Sequence, residues 1–319
     1  MSLINAQANP SQCMIGLIGY GEVGKILAED LRKQGLGILA YDIRQEAPVS
    51  RQVLAAHAGM HGVMLADSAE HLASRSDFVI SAVTASQTLA AAQSVASGIN
   101  KGAFLLDFNS ASPGTKQAAA SVVEKAGGRY VEGAVMTSVP PYRIRVPLLL
   151  GGPHAHALAP RLKALGFDAT VGSERLGVVS ATKMCRSVMI KGLEAMLIES
   201  LTAARHHGVE EAVLASLQET FPGIDWEKAA TYFFQRVIEH GRRRSEEMQE
   251  SANTVREVGM PAFSAQATAE RQAWMADLAD LSVFGERGGL GFARSADWRA
   301  EADRLLAHLQ WREKPGAEN

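Results

Sequence analysis

The chain has 319 residues, enough for two domains of ordinary size, each with a core of its own. Apolar residues make up 47% and charged residues 21%, with 32 Lys+Arg against 34 Asp+Glu and a formal charge of −2. That balance excludes general disorder and gives no basic footprint for nucleic acid, so small molecules or protein are the expected partners. Cys13 and Cys185 lie far apart without metal-type spacing, so neither a disulfide framework nor a zinc site is indicated, and both thiols are expected to be buried in a reducing compartment. No apolar run reaches the ~18 residues of a membrane span, and residues 1–12 read as a flexible leader without signal-peptide character. A cytoplasmic protein that binds neither membrane nor nucleic acid is expected.

From residue 13 to 172, short β-rich runs alternate with helical stretches, the pattern of an α/β doubly wound, Rossmann-type parallel sheet covered on both faces. The predicted strands are 14–19, 38–41, 62–65, 78–83, 104–106, 130–135, 148–150 and 169–171. Helix-forming composition fills 23–34, 86–96 and 113–125, where Pro113 suits a first turn. From 173 to 319 the strand signal fades into stretches rich in Ala, Glu, Leu, Met, Arg and Gln, predicting an all-α domain for substrate binding and dimerisation. Breaks are expected at Phe221-Pro222-Gly223, Gly241, Gly259-Met260-Pro261 and Arg287-Gly288-Gly289, and fraying at the tail from Lys314.

The first predicted strand runs into Gly19-Tyr20-Gly21-Glu22-Val23-Gly24 and opens a helix, which is the context a G-x-G-x-x-G pattern requires. Gly19 allows the tight turn, Gly21 lets the backbone approach a pyrophosphate, and Gly24 permits close helix–strand packing. The second strand ends in Asp42, 18 residues beyond Gly24, where a carboxylate accepts the hydroxyls of an adenosine ribose. NAD or NADP is therefore the expected cofactor. Asp42 repels a 2′-phosphate and favours NAD, whereas Arg44 offers that phosphate a partner and leaves NADP open. Val83 and Thr84, after the fourth strand, are expected near a ribose.

The segment Asp107-Phe108-Asn109-Ser110-Ala111-Ser112-Pro113 reads as a strand ending in a polar turn before a helix, at the carboxyl edge where such sheets bind ligands. Ser112 is equally suited to capping that helix. Farther on, at about 100° per residue, Ser180, Lys183, Ser187, Lys191 and Glu194 share roughly an 80° arc of one helix. Val178, Val179, Met184, Cys185, Val188, Met189, Leu193, Met196 and Leu197 cover the rest. This predicts a largely buried helix with one polar stripe facing a cleft or a charged partner, because an unpaired buried lysine costs several kcal/mol. In such a site desolvation and neighbours such as Arg186 would lower the Lys183 pKa and make it a usable base. Spacing alone favours a structural network joining Lys183 to Glu194.

On these motifs, with the strand pair spanning 132–152 and Gly177 six residues before Lys183, the chain resembles the β-hydroxyacid dehydrogenase superfamily, which includes 6-phosphogluconate and 3-hydroxyisobutyrate dehydrogenases. The stretch 243–248 resembles a bacterial branch whose helical domain has no recorded function. The resemblance implies hydride transfer between nicotinamide and a hydroxy acid or related alcohol or carbonyl compound. It also implies Lys183 as general acid/base and Asn109, Ser110 and Ser112 between nicotinamide and substrate. A homodimer through the helical domain is expected from the resemblance and from the apolar circumference of that helix.

The chain departs from the family in three places, one of them Glu246-Glu247, which stands where the family has a Lys-Asp pair near the C-terminal site segment. Met136-Thr137-Ser138 stands where Ser-Gly-Gly usually holds a small carboxylate, and Ser187 stands where an asparagine usually follows the lysine. Arg186, Arg143 and Arg145 are alternative anion ligands, and His240, Arg243, Glu247 and Met248 are further pocket candidates. Phe221, Trp226, Tyr232, Phe233 and Phe234 suit core packing, an interface or an apolar substrate wall. Imine reduction on the same scaffold and a non-catalytic NAD(P)-binding sensor are the competing functions.

Overall fold

The computed structural model describes residues 14–312, which fall into two compact units divided between Met184 and Cys185. Cys13, the leader and the tail from Lys314 lie outside the described residues.

The first unit is an eight-stranded sheet. Its strands are β1 (Met14–Ile18), β2 (Gly37–Tyr41), β3 (Met64–Leu65), β4 (Phe78–Ser81), β5 (Phe104–Asp107), β6 (Arg129–Val135), β7 (Leu148–Gly151) and β8 (Ala169–Ser173), in the order β3-β2-β1-β4-β5-β6-β7-β8. Between them run α1 (Glu22–Arg32), α2 (Pro48–His61), α3 (Ala69–Ser74), α4 (Thr88–Ala96), α5 (Pro113–Lys125), α6 (Val139–Tyr142) and α7 (Ala155–Ala164). Side chains alternate between two cores. Ile15, Leu17, Phe104 and Leu106 pack on one face, while Ile18, Leu39, Val79 and Leu105 pack on the other. Both faces are buried, as a doubly wound sheet requires.

The sheet is not wholly parallel. β6 and β7 pair antiparallel, which suits the short connection between them, because a parallel return needs a full crossover. β3 is shorter than predicted because Gly62 adopts φ 64 and closes α2 with its N–H instead of joining a strand. β4 stops at Ser81, since the Val83 N–H is taken by the Asn109 side chain. Besides the four-residue α6, three helices were not predicted. Their punctuation was present as Pro48 at the first turn of α2, Ser68 capping α3, and small residues in α7 that carry little periodic signal.

The second unit contains α9 (Glu210–Thr220), α10 (Trp226–Glu257), α11 (Phe263–Asp280), α12 (Trp298–Arg312) and most of α8 (Val178–His207). The division at 184/185 lies inside α8, past the change of composition at Gly172. The predicted break at Gly241 does not occur, because Gly241 sits within α10, where an added Cβ would lie 2.6 Å from the Gln272 carbonyl on α11. The glycine serves close helix packing. Trp226, Phe234 and Trp298 are buried in this unit's core, with Phe234 and Trp298 stacked at 6.0 Å, whereas Phe221 and Tyr232 are exposed.

On α8 the expected stripe is present but its surroundings differ. Ser187, Lys191 and Glu194 are buried, with Lys191 paired to Glu247 and Glu194 to Arg244 on α10. Met189 (72% exposed), Met196 (63%) and Cys185 face outward, which corrects the expected burial of Cys185 and of part of the apolar arc, whereas Val179, Met184 and Leu197 are buried as expected. Ion pairing across two helices draws the polar face inward and leaves Met189, Met196 and Cys185 exposed among the described residues. No helix among the described residues is long and apolar enough to cross a membrane.

Candidate active site

Three glycines at the end of β1 each meet a separate constraint. Gly19 has φ 88, and an added Cβ would lie 2.4 Å from the Ala82 carbonyl. At Gly24 a Cβ would lie 2.1 Å from the Gly19 carbonyl, so α1 can pack against the turn only without one. Gly21 differs, because the nearest atom to its Cβ position is Arg44 Nη2 at 3.6 Å. Space there is kept open in front of the backbone, and α1 begins with no side-chain cap on its first-turn N–H groups. An uncapped helix start behind an open glycine backbone fits a pyrophosphate. Glu22 and Val23 form the first turn of α1.

Asp42 is buried and receives four hydrogen bonds. Tyr20 N–H (2.8 Å) and Arg44 Nη2 (2.8 Å) donate to Oδ2, and Arg44 N–H (3.0 Å) and Nε (2.8 Å) donate to Oδ1. Burial would raise this carboxyl, but the Arg44 and Tyr20 donors outweigh it and hold it below its ordinary pKa. Arg44 itself is about half exposed and folds back onto the acid.

At the carboxyl edge of β4 and β5, one asparagine joins the two strands. Asn109 Oδ1 accepts from Val83 N–H at 2.8 Å, its Nδ2 donates to Ser81 Oγ at 3.0 Å, and its own N–H donates to Asp107 Oδ1 at 2.8 Å. The next residue, Ser110, accepts from Lys183 Nζ at 2.6 Å. Lys183, Ser110, Asn109 and Val83 are thus connected, with Thr84 following Val83 at the head of a short 3-10 turn. Ser112 caps α5, accepting from Thr115 N–H at 3.3 Å, so the capping expectation holds.

Two supporting features carried no periodic signal. Beneath the turn, Lys116 Nζ pairs with Asp107 Oδ1 at 2.9 Å and Tyr130 donates to Asp107 Oδ2 at 2.5 Å, all three groups being buried. Burial, with Asp107 adding, pushes the Tyr130 phenol well above its ordinary pKa, so it remains a donor. Glu132, the lone acid in an apolar strand, accepts from Gly177 N–H (2.9 Å) and Val179 N–H (3.3 Å) and so fixes the start of α8 ahead of Lys183. A carboxylate interrupting an otherwise buried run was the available clue.

Other candidates stand apart. Arg143 is committed to Glu29 (2.7 Å) and Asp30 (2.9 Å), which corrects its reading as an anion ligand. Arg145 is exposed, Met136 half-buried, and Thr137 and Ser138 exposed. In the second unit Arg186 is exposed and Ser187 buried, His240 lies 3.7 Å from Glu239, and Met248 belongs to an apolar core. Arg243 bonds Glu247 at 2.6 Å, and Glu247 also holds Lys191. Lys183 reaches Ser110 instead of Glu194, so the predicted Lys183–Glu194 network does not form.

Residues 14–166 match the NAD-binding domain family of 6-phosphogluconate dehydrogenase, and residues 204–275 match a domain of unknown function, DUF1932. A conserved hypothetical protein from Sinorhizobium meliloti 1021 is 37% identical, with 93% of this chain and 96% of that one covered and a TM-score of 0.70. The mitochondrial 3-hydroxyisobutyrate dehydrogenase of Mus musculus is 23% identical over 71% of this chain and 67% of its own. The 3-hydroxyisobutyrate dehydrogenase of Mycobacterium tuberculosis shares the fold, with a TM-score of 0.65 at 16% identity over 92% and 99% of the two chains. Fold and fingerprint thus define an NAD-binding oxidoreductase scaffold. The chain belongs to the β-hydroxyacid dehydrogenase superfamily, in the branch that carries the DUF1932 domain.

Proposed function

We propose that the protein is an NAD(P)-dependent dehydrogenase or reductase acting on a hydroxy acid or a related alcohol–carbonyl pair, with Lys183 as general acid/base. The 2.6 Å bond between Lys183 Nζ and Ser110 Oγ carries this reading, because it holds an amine against the turn that Asn109 braces to the cofactor-side strand. A bound nicotinamide supplies the two-electron acceptor or donor. Neutral Lys183 takes the substrate hydroxyl proton during oxidation, and the ammonium returns one to the carbonyl oxygen during reduction. Ser110 fixes where Nζ lies, and the ammonium stabilises developing alkoxide charge. Met136 occupies the place of a family glycine turn, which favours substrates larger and more apolar than hydroxyisobutyrate.

A panel of hydroxy acids, alkyl and aryl ketones, aldehydes and imines, followed by NAD(P)H absorbance, tests the reading. Turnover of an alcohol or carbonyl compound is expected. Tight NAD(P) binding with no turnover across the panel would make the protein a sensor, and turnover of imines alone would replace alcohol chemistry.

Gly21→Val should abolish measurable NADH and NADPH binding in calorimetry, since the side chain fills the space kept open before the backbone. Unchanged affinity in the folded variant would remove the fingerprint assignment. The same titrations on Asp42→Ala should improve NADPH relative to NADH as carboxylate repulsion is lost.

The outward Met189, Ile190 and Met196 of α8 support a homodimer through the helical domain. Light scattering at micromolar concentration should give twice the chain mass, and Met189→Glu with Met196→Glu should give the single-chain mass.

A further inference from the structure

A second cluster lies on the helices of the first unit and takes no part in the chemistry above. His57 and His61 stand four residues apart on α2, so both rings project from one face, with centroids 4.4 Å apart. Glu29 on α1 faces them, its Oε1 lying 3.2 Å from His57 Nε2. One ligand atom from each of the three residues lies within 4.8 Å of the others, and all three are half-buried. The outer contacts orient the donors. Glu29 Oε2 is held by Arg143 Nη2 at 2.7 Å, and Arg143 is in turn shared with Asp30. His57 Nδ1 lies 2.8 Å from Tyr20 Oη.

We propose that Glu29, His57 and His61 form a binding site for a divalent transition cation of the zinc class. The ligands are Glu29 Oε1, His57 Nε2 and one ring nitrogen of His61, with a fourth position left for water. Two imidazoles and one carboxylate suit such a cation, whereas magnesium and calcium require oxygen ligands. Tetrahedral bonds of about 2.0–2.1 Å place adjacent ligand atoms roughly 3.3 Å apart. The 3.2 Å separation of Glu29 Oε1 and His57 Nε2 already has that span, and His61 brings a third ligand atom to the same cluster. Coordination at Nε2 puts the His57 ring proton on Nδ1, where Tyr20 Oη accepts it, the arrangement of an outer-shell partner that fixes a ligating imidazole. Arg143 beside Glu29 repels the cation and weakens the site, but Asp30 offsets part of that charge. Tyr20 also lies within the glycine fingerprint, so the cation would sit one side chain from the dinucleotide loop.

The test is calorimetric titration of the chelator-treated full chain with zinc chloride, alongside magnesium chloride. A saturable zinc site and no magnesium site are expected. His61→Ala should weaken zinc binding at least about tenfold while leaving the melting curve of the zinc-free protein near that of the parent, because its ring takes no part in the Tyr20 bond. Tyr20→Phe should weaken it less. His206→Ala combined with His207→Ala, which removes the adjacent histidine pair of the second unit, should leave it unchanged. Absence of saturable zinc binding up to millimolar concentration overturns the proposal, as does parent-like affinity in the folded His61→Ala protein.

Discussion

Lys183→Met is expected to leave NADH affinity near that of the parent and to slow the chemical step by about 10²–10⁴, the usual contribution of a positioned acid or base. The side chain keeps much of its volume but loses both the transferable proton and the bond to Ser110. Lys183→Arg should recover little, because a guanidinium stays protonated and cannot accept the hydroxyl proton. Single-turnover hydride transfer at saturating cofactor, on the substrate found by the panel, gives the rate, and a melting curve for each variant separates chemistry from folding. A folded Lys183→Met protein with near-parent hydride transfer would make the lysine structural.

Lys116→Met is expected to lower stability by about 3–5 kcal/mol, the range for removing one partner of a buried pair. Asp107 remains buried with the Tyr130 hydroxyl and the Asn109 N–H as donors, which places the loss toward the lower end. Adding Asp107→Asn should recover part of it, since the uncompensated charge is then gone. Urea unfolding of the parent, the single variant and the double variant measures both steps. A change within about 0.5 kcal/mol for Lys116→Met would mean that the pair contributes as little as a surface one.

The alternating strands and the glycine fingerprint were legible because each rests on local rules, period-two burial and the steric demands of a turn. All eight strands lie close to their predicted spans, although the single antiparallel pair depends on which connection is long enough for a crossover, and residue patterns do not encode that directly. Lys183 was legible as the member of a polar stripe, but its partner was not. A wheel places Lys183 and Glu194 on one arc, whereas their actual partners, Ser110 and Arg244, come from distant segments. The same limit hid Lys116, whose role depends on β5 running beneath α5. Met189 and Met196 mark the converse error. Apolar periodicity marks side chains that avoid water, and in the proposed homodimer a second copy would cover the ones left exposed here.

The carboxylate of Glu132 receives the Gly177 and Val179 amides, at the start of α8, from 45 and 47 positions farther along the chain. Most helices carry their N-terminal cap within their own first turn, so nucleation and capping occur together. Here the cap is contributed by a strand in the middle of the sheet, and closing a loop of that length must precede it. The first turn of α8 is therefore expected to become ordered only after β6 has joined its neighbours, which makes it a late step in folding. Pulsed hydrogen exchange would show this as protection of the Gly177 and Val179 amides lagging behind that of β5 and β6. Equal or earlier protection would assign the nucleus to the helix. On this ordering, the lysine is brought into register by a finished scaffold, and a chain trapped with an incomplete sheet retains every residue of the site without its geometry.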